Sequence, residues 1–171
     1  MNITFPKFNI HDDVHTHALI KWKEDPAIGY LITPKRKPDP LAVAPATQEK
    51  LKQDDSYNYM IFDQAKPIGT FSIHIDPPHL MKKIKGTSWL GLTIGEKEYW
   101  GKGVAKFAMD YFEQESIKLG AKRVELGTFE FNVRAQAFYK KLGFIEFARI
   151  SNFTYWQDRY WDDVRMEKKL F

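Results

Sequence analysis

The apolar positions of this chain change period along its length, and each change marks an element. Leu90, Leu92 and Ile94 alternate with small or polar residues, which is the period of a strand. Over 104–119 the repeat lengthens. Ala105, Ala108, Phe112 and Leu119 fall on one side of a helix, with Lys102, Lys106, Asp110, Gln114 and Lys118 on the other. Gly120 follows as a natural terminator, and 123–129 return to a strand. A second helix starts at Asn132. It carries Ala135, Phe138, Tyr139 and Leu142 at i, i+3, i+4 and i+7, and Gly143 ends it. Strands follow at 144–150 and 164–170, separated by an aromatic, polar loop over 151–161.

The first half reads differently. Residues 9–23 predict a short entry strand and then a helix, capped by Asp12 or Asp13, with Val14, Ala18, Leu19 and Trp22 at helical spacing. Residues 27–45 hold Pro34, Pro38, Pro40 and Pro45 around Lys35-Arg36-Lys37, the composition of a long loop with at most one turn of helix. Thr47-Gln48-Glu49-Lys50 has the form of a cap leading into a short helix. Strands at 57–62 and 68–75 are joined by the turn Asp63-Gln64-Ala65-Lys66-Pro67, with Phe71, Ile73 and Ile75 on one face and Ser72, His74 and Asp76 on the other. Strand–helix–strand–helix–strand after an antiparallel start predicts an α/β fold with a mixed (α+β) sheet and helices on both faces. No repeat or linker divides the chain, so residues 1–171 are expected to form one domain.

Between the strand at Leu90 and the helix at Val104 stands Gly101-Lys102-Gly103. Glycines at a strand-to-helix turn let a backbone approach a phosphate, and the first-turn N–H groups and helix dipole favour an anion there. Three phosphate-binding patterns compete. A P-loop fails, because five residues separate Gly95 from Gly101 and Gly103 follows Lys102. A dinucleotide fingerprint lacks its third glycine, since Lys106 stands there, although Glu125 lies near the downstream acid. The acyl-CoA turn Gln/Arg-x-x-Gly-x-Gly/Ala matches at Gly101 and Gly103, with Glu98 in place of the leading Gln or Arg.

A second constellation agrees with the third pattern. Asn132-Val133-Arg134-Ala135-Gln136-Ala137-Phe138-Tyr139-Lys140-Lys141-Leu142-Gly143-Phe144 matches Asn-x-x-Ala-x-x-Phe-Tyr-x-x-x-Gly-Phe. With both segments in this order the chain resembles the GCN5-related N-acetyltransferases, well over 57–170 and loosely before that. Trp22-Lys23-Glu24-Asp25-Pro26 looks like the early helix end of the ribosomal-protein and polyamine branch. The resemblance implies six or seven strands, with two central strands splayed into a slot for acetyl-CoA. It implies cofactor binding by Leu92, Thr93, Ile94, Trp100, Gly101, Lys102, Gly103, Val104, Ala105, Asn132 and Tyr139, with Tyr139 as the general acid for the departing thiolate. The residues alone also permit Asn132 as a helix cap and Tyr139 as a packed aromatic.

The expected function is transfer of an acetyl group from acetyl-CoA to a primary amine by direct attack, the amine being a protein N-terminus, a polyamine or another small amine. A non-catalytic acyl-CoA-binding module on the same fold is the alternative. The base is not identifiable: Glu96, Glu125 and His74 are candidates, and His74 shares a strand face with Asp76. The acceptor is expected between the loops 27–45 and 151–161. The aromatic residues Phe153, Tyr155, Trp156, Tyr160 and Trp161 are read either as a wall of that cleft or as a homodimer contact.

Composition narrows the field a little. The absence of Cys rules out disulfides, thiolate metal sites and a cysteine acyl carrier. His11 and His15 are four apart, as two metal ligands on a helix would be, but no third ligand is near, so no metal is expected. No 18-residue apolar run and no leader-like N-terminus occur, which predicts a cytoplasmic protein with neither membrane nor nucleic acid as partner. The net charge of +4 suits an anionic cofactor and argues against a polycationic acceptor unless the cleft is acidic.

Overall fold

A computed structural model describes residues 1–37 and 56–171. The helix start expected at Thr47, and Pro38, Pro40 and Pro45, lie outside the described residues. Seven strands, β1 (Ile3–Thr4), β2 (Ser56–Asp63), β3 (Lys66–Ile75), β4 (Thr87–Ile94), β5 (Arg123–Phe129), β6 (Ile145–Trp156) and β7 (Arg159–Lys169), form one sheet. Among the described residues four α-helices accompany them: α1 (Asp13–Glu24), α2 (Gly29–Ile32), α3 (Val104–Lys118) and α4 (Val133–Lys141). The strand order is β1-β2-β3-β4-β5-β7-β6. Among the described residues only β4 and β5 run parallel, and every other neighbouring pair is antiparallel.

Strand alternation sorts the helices onto two faces. Tyr59 and Ile61 of β2 join Phe71, Leu90, Val124, Leu126, Val164 and Met166 in a core that also takes Val104, Ala108 and Phe112 of α3 and Tyr139 of α4. Met60, between Tyr59 and Ile61, points the other way and packs with Ala18 and Trp22 of α1. The expected helices on both faces are present, with α3 and α4 on one face and α1 on the other.

Helix α1 is fixed at both ends. The Asp12 carboxylate accepts the N–H groups of Val14 and His15. The chain turns extended at Asp25, which precedes Pro26. Trp22 lies flat against Gly95, where an added Cβ would fall 2.1 Å from the indole ring. Its Nε1–H donates to Glu96 at 2.9 Å. The end of α1 is thereby anchored where β4 stops, which sets the place of the chain that follows it.

Several sequence readings change. The entry strand is β1, at Ile3–Thr4, not near residue 9. Val14 is 51% exposed, and His15 takes the inward position, its Nδ1 accepting the Asn9 N–H at 3.1 Å. Residues 151–161 are not a loop. β6 and β7 form a long hairpin whose two-residue tip, Gln157-Asp158, has positive φ at both positions. A register shift between Ile150 and Thr154, with Asn152 at φ 55, breaks the alternation there. That bulge is why the apolar period stops at Ile150 although the strand does not.

Candidate active site

The two parallel strands pair only over Thr87↔Arg123, Ser88↔Val124 and Trp89↔Glu125. From Leu90 onward β4 keeps β3 as its partner but has none on the β5 side. The sheet opens there. On the α3/α4 face the opening continues into a cleft of ≈ 480 Å³. Leu92, Thr93, Ile94, Trp100, Gly101, Gly103, Val104, Ala105, Asn132 and Tyr139 all line it, so the residues singled out from the sequence lie along one surface. Lys102 does not line it; its ammonium lies 5.9 Å from the Tyr99 ring centre.

The turn before α3 shows what its glycines are for. Gly101 has φ 75 and Gly103, the residue that caps the helix, has φ 84. These are left-handed conformations that cost an L-residue about 1–2 kcal/mol. A Cβ at either position would meet nothing within 4 Å. Backbone conformation therefore demands glycine here, and the space in front of the turn stays open. Among the described residues, no acceptor is bonded to the N–H of Gly101, Gly103, Val104 or Ala105. Four unpaired donors at a helix N-terminus, facing open space, fit a pyrophosphate. Thr128, on the α3/α4 side of β5 at the parted edge, also has a buried hydroxyl with no partner among the described residues.

The Asn132–Phe144 segment builds the opposite wall. The Asn132 side chain caps α4 by accepting the Ala135 N–H at 3.2 Å, and the residue also lines the cleft. At the other end Gly143, at φ 88, lets the Phe144 N–H reach the Tyr139 carbonyl at 3.0 Å and its own N–H reach that of Lys140 at 3.1 Å. This is the paired C-terminal closure in which the residue after the glycine packs on the residue five before it. The packing pair is Phe144 on Tyr139, with ring centres 5.6 Å apart at 62°. The spacing Tyr-x-x-x-Gly-Phe thus clamps the tyrosine ring. Burial holds the Tyr139 phenol well above the ordinary tyrosine range, so it keeps its proton at any physiological pH. Its hydroxyl has no hydrogen-bond partner among the described residues, and Tyr139 lines the cleft.

The mouth of the cleft is cationic. Arg134 lies over the Trp100 ring at 3.7 Å, while the Trp100 indole N–H is held by the Ile94 carbonyl at 2.8 Å. Lys106 and Lys141 also line it, and no Asp or Glu does among the described residues. Ile28, Leu31 and Ile32, around α2, close one side with apolar surface.

The candidate bases fare less well. Glu96 accepts from Lys21 Nζ at 2.5 Å and from Trp22, which commits it to docking α1. Glu125 is fully buried between Arg123, at 2.8 Å, and Arg165, at 3.4 Å, and also accepts the Met81 N–H. His74 and Asp76 form no dyad. Asp76 turns to φ 49 and its carboxylate caps Gly86 and Thr87. Burial lowers the His74 pKa below its ordinary value.

The loop expected beside the acceptor is partly described. Lys35 exchanges hydrogen bonds with the hairpin, donating its N–H to Thr154 Oγ1 at 2.9 Å and accepting the Tyr155 N–H at 2.8 Å. Tyr30 of α2 stacks on Trp156 at 4.6 Å and 15°, and Phe131 packs on Trp156 and Trp161 at 4.6 and 5.3 Å. The hairpin aromatics therefore bury one another and α2 within the chain, while Tyr160 and Phe153 stay 47% and 36% exposed.

A model of the acetyltransferase (GNAT) family matches residues 10–144. No curated protein matches the chain at the level of sequence. Among solved structures, an N-acetyltransferase from Staphylococcus aureus Mu50 is similar over 100% of both chains, with a TM-score of 0.76 and 15% identity. The ribosomal-protein-S18-alanine N-acetyltransferase from Escherichia coli aligns over 98% of this chain and 94% of its own, with a TM-score of 0.70 and 14% identity. A spermidine/spermine N-acetyltransferase from Vibrio cholerae aligns over 99% and 93%, with a TM-score of 0.67 and 15% identity. At these identities the likeness is one of fold.

Proposed function

The chain belongs to the acetyltransferase (GNAT) family, and from that premise we propose that it moves an acetyl group from acetyl-CoA to a primary amine by direct attack. It is an acyltransferase with acetyl-CoA as co-substrate. The observation that carries the site is the turn 101–105, with four unpaired N–H groups facing open space where two strands part.

The residues divide the work. The N–H groups of Gly101, Gly103, Val104 and Ala105 would hold the pyrophosphate. The unpaired edge of β4 at Leu92, Thr93 and Ile94 would take the pantetheine arm as a strand takes a neighbour. Trp100 and Asn132 would flank it. Bound acetyl-CoA supplies the acetyl group as a thioester. Tyr139, fixed by Phe144 and kept protonated by burial, gives its phenolic proton to the departing sulfur.

The acceptor is a primary amine. The relatives named for an alanine N-terminus and for spermidine mark two amine classes. Lys106, Arg134 and Lys141 line the same cleft as the turn 101–105 and suit the phosphates of the co-substrate. No helix among the described residues is long and apolar enough to cross a membrane.

The test is thermal. Acetyl-CoA at about 100 times its Kd should add about 2.7 kcal/mol, which raises Tm by about 5–10 °C for a chain of this size. NAD should leave Tm unchanged, and free thiol should appear when a primary amine is added with acetyl-CoA. Stabilisation by NAD and none by acetyl-CoA would overturn the reading.

A further inference from the structure

On the α1 face of the sheet, opposite the cleft, six buried or half-buried charges form a continuous chain. Lys82 meets Glu167 at 2.5 Å, and Glu167 meets Arg123 at 2.6 Å. Arg123 meets Glu125 at 2.8 Å, Glu125 meets Arg165 at 3.4 Å, and Arg165 meets Asp163 at 2.6 Å. The signs alternate, and each interior member has a partner on both sides. Asp163 is the inner end and has one.

That end lies beside the parted strands. Asp163 is paired across β7 and β5 with Phe129, and Arg165 with Gly127. The Asp163 carboxylate leans over Gly127, so that a Cβ there would fall 2.7 and 2.8 Å from its two oxygens. Gly127 lies past the last β4–β5 pair, at Glu125. Across the opening, Gly91 of β4 lies between Leu90 and Leu92, which pack on the cleft side, and so faces the same way as Gly127. Each parted strand therefore has a glycine on the α1 face: the Asp163 carboxylate covers Gly127, and the Ser72 hydroxyl covers Gly91, where a Cβ would fall 2.8 Å from it.

We propose that Asp163 takes the proton from the acceptor amine, which enters through the parted strands from the α1 face. The inference rests on the acetyltransferase reading of the cleft. The step is a proton transfer: one ammonium N–H bond breaks and its electron pair stays on nitrogen. An O–H bond forms on the Asp163 carboxylate, and the neutral nitrogen then has the lone pair that attack requires. Asp163 returns the proton to water after the product leaves.

The surroundings suit the task. Burial pushes the Asp163 carboxyl up to about 6 against the pull of Arg165, so it is ionised at neutral pH yet far more basic than an exposed carboxylate. Arg165 faces it from its own strand, and Glu125 of β5 reaches it only through Arg165. Arg165 also contacts the His79 carbonyl and stacks on Trp89, and the His79 imidazole is lowered by burial and by the Arg165 charge. Among the described residues no second carboxylate competes at that end of the chain of charges.

The test uses Asp163→Asn and Glu167→Gln. Glu167 breaks the same chain of charges at the opposite end and serves as the structural control. CoA binding is measured by calorimetry, the Asp163 carboxyl by carbon NMR titration, and kcat/KM against pH with three amine probes: an alanine-ended peptide, spermidine and 2-phenylethylamine. In the wild type the carboxyl should titrate near pH 6, and kcat/KM should show an acid limb at the same pH. Asp163→Asn should bind CoA normally and lose about 10²–10⁴-fold in kcat/KM at pH 7. Its acid limb should vanish, leaving a rate that climbs with the free-amine fraction. Glu167→Gln should keep the limb. A carboxyl that titrates at the ordinary value near 4, or an Asn variant with intact CoA binding and the wild-type pH profile, overturns the assignment alone. Wild-type protein that binds no CoA overturns the acetyltransferase reading, and this one with it.

Discussion

The two faces of the parted sheet are built on different principles. On the α3/α4 face, the groups offered to a ligand are main-chain: the N–H donors of 101–105 and the bare edge of β4. They come from one stretch of chain, and their geometry is set by two positive-φ glycines and a helix start. On the α1 face the groups are side chains brought together from afar. Lys82 bonds Glu167 across 85 residues, and Arg165 bonds Glu125 across 40. A backbone site can be retained while side chains drift, which suits one shared co-substrate. A side-chain site can be redrawn residue by residue, which suits a variable acceptor.

The sharpest way to break that contrast is at Tyr139, where a single side-chain atom is assigned to the backbone-built face. Tyr139→Phe removes the hydroxyl and keeps the ring against Phe144 and the helix closure. Turnover should fall about 10²–10⁴-fold, with CoA affinity and Tm nearly unchanged. If the residue only packs, the Phe variant turns over within about twofold of wild type and damage appears in Tyr139→Ala through the cavity. That outcome would also favour a non-catalytic acyl-CoA-binding module.

The next test is on the turn itself. Gly103→Glu puts a left-handed strain of about 1–2 kcal/mol and a negative charge where four N–H groups stand free. The added side chain meets no neighbour, so the fold should survive with Tm lowered by about 2–8 °C. CoA affinity should fall by about 10²-fold, or about 2.7 kcal/mol, measured by calorimetry. Unchanged affinity in the folded variant would move the pyrophosphate away from this helix.

The same contrast explains what could be read in advance. Strand and helix order from β2 to α4, the Gly-x-Gly turn and the Asn132–Phe144 segment were legible because each is local. Their signal is a period or a fixed spacing: Gly143 and Phe144 fall four and five residues after Tyr139 because the helix closure needs them there. Asp163 carried no such signal. It sits among Asp158, Asp162 and Arg159 in a polar stretch, and only the pairing of β5 with β7 brings it over Gly127. The far half of β6 was hidden by the bulge at Asn152, which breaks the alternation that a strand is recognised by. Glu96 and Glu125 drew notice as acids near the central strand, but a sequence does not show which carboxylates are already spoken for. A glycine in a buried strand, one diagonal step from an acid on the next strand, is the one pattern that could have pointed to Asp163.

The smallest expected effect lies at the hairpin, and it separates the two faces from the other side. Tyr30 stacks on Trp156, and Lys35 pairs with Thr154 and Tyr155, so α2 and the hairpin form one unit. That unit also supplies Ile28, Leu31 and Ile32 to the cleft. Trp156→Ala deletes one face of an aromatic stack worth about 0.5–1.5 kcal/mol beyond its area. If the aromatic surface walls the acceptor, its KM should rise about 2–12-fold, while the acetyl-CoA KM stays within about twofold. The co-substrate is spared because its hold is on 101–105 and β4, which do not touch Trp156. An equal rise in both constants would mean instead that α2 has shifted and carried Ile28, Leu31 and Ile32 with it. Loss of a dimer on a sizing column, with both constants unchanged, would assign the hairpin to an interface between copies of the chain. Thr154→Val distinguishes the first two cases further. It removes the hydroxyl that holds Lys35 but leaves the ring stack, so it should move α2 without stripping the wall. The expected result is a change in the acceptor KM smaller than that of Trp156→Ala.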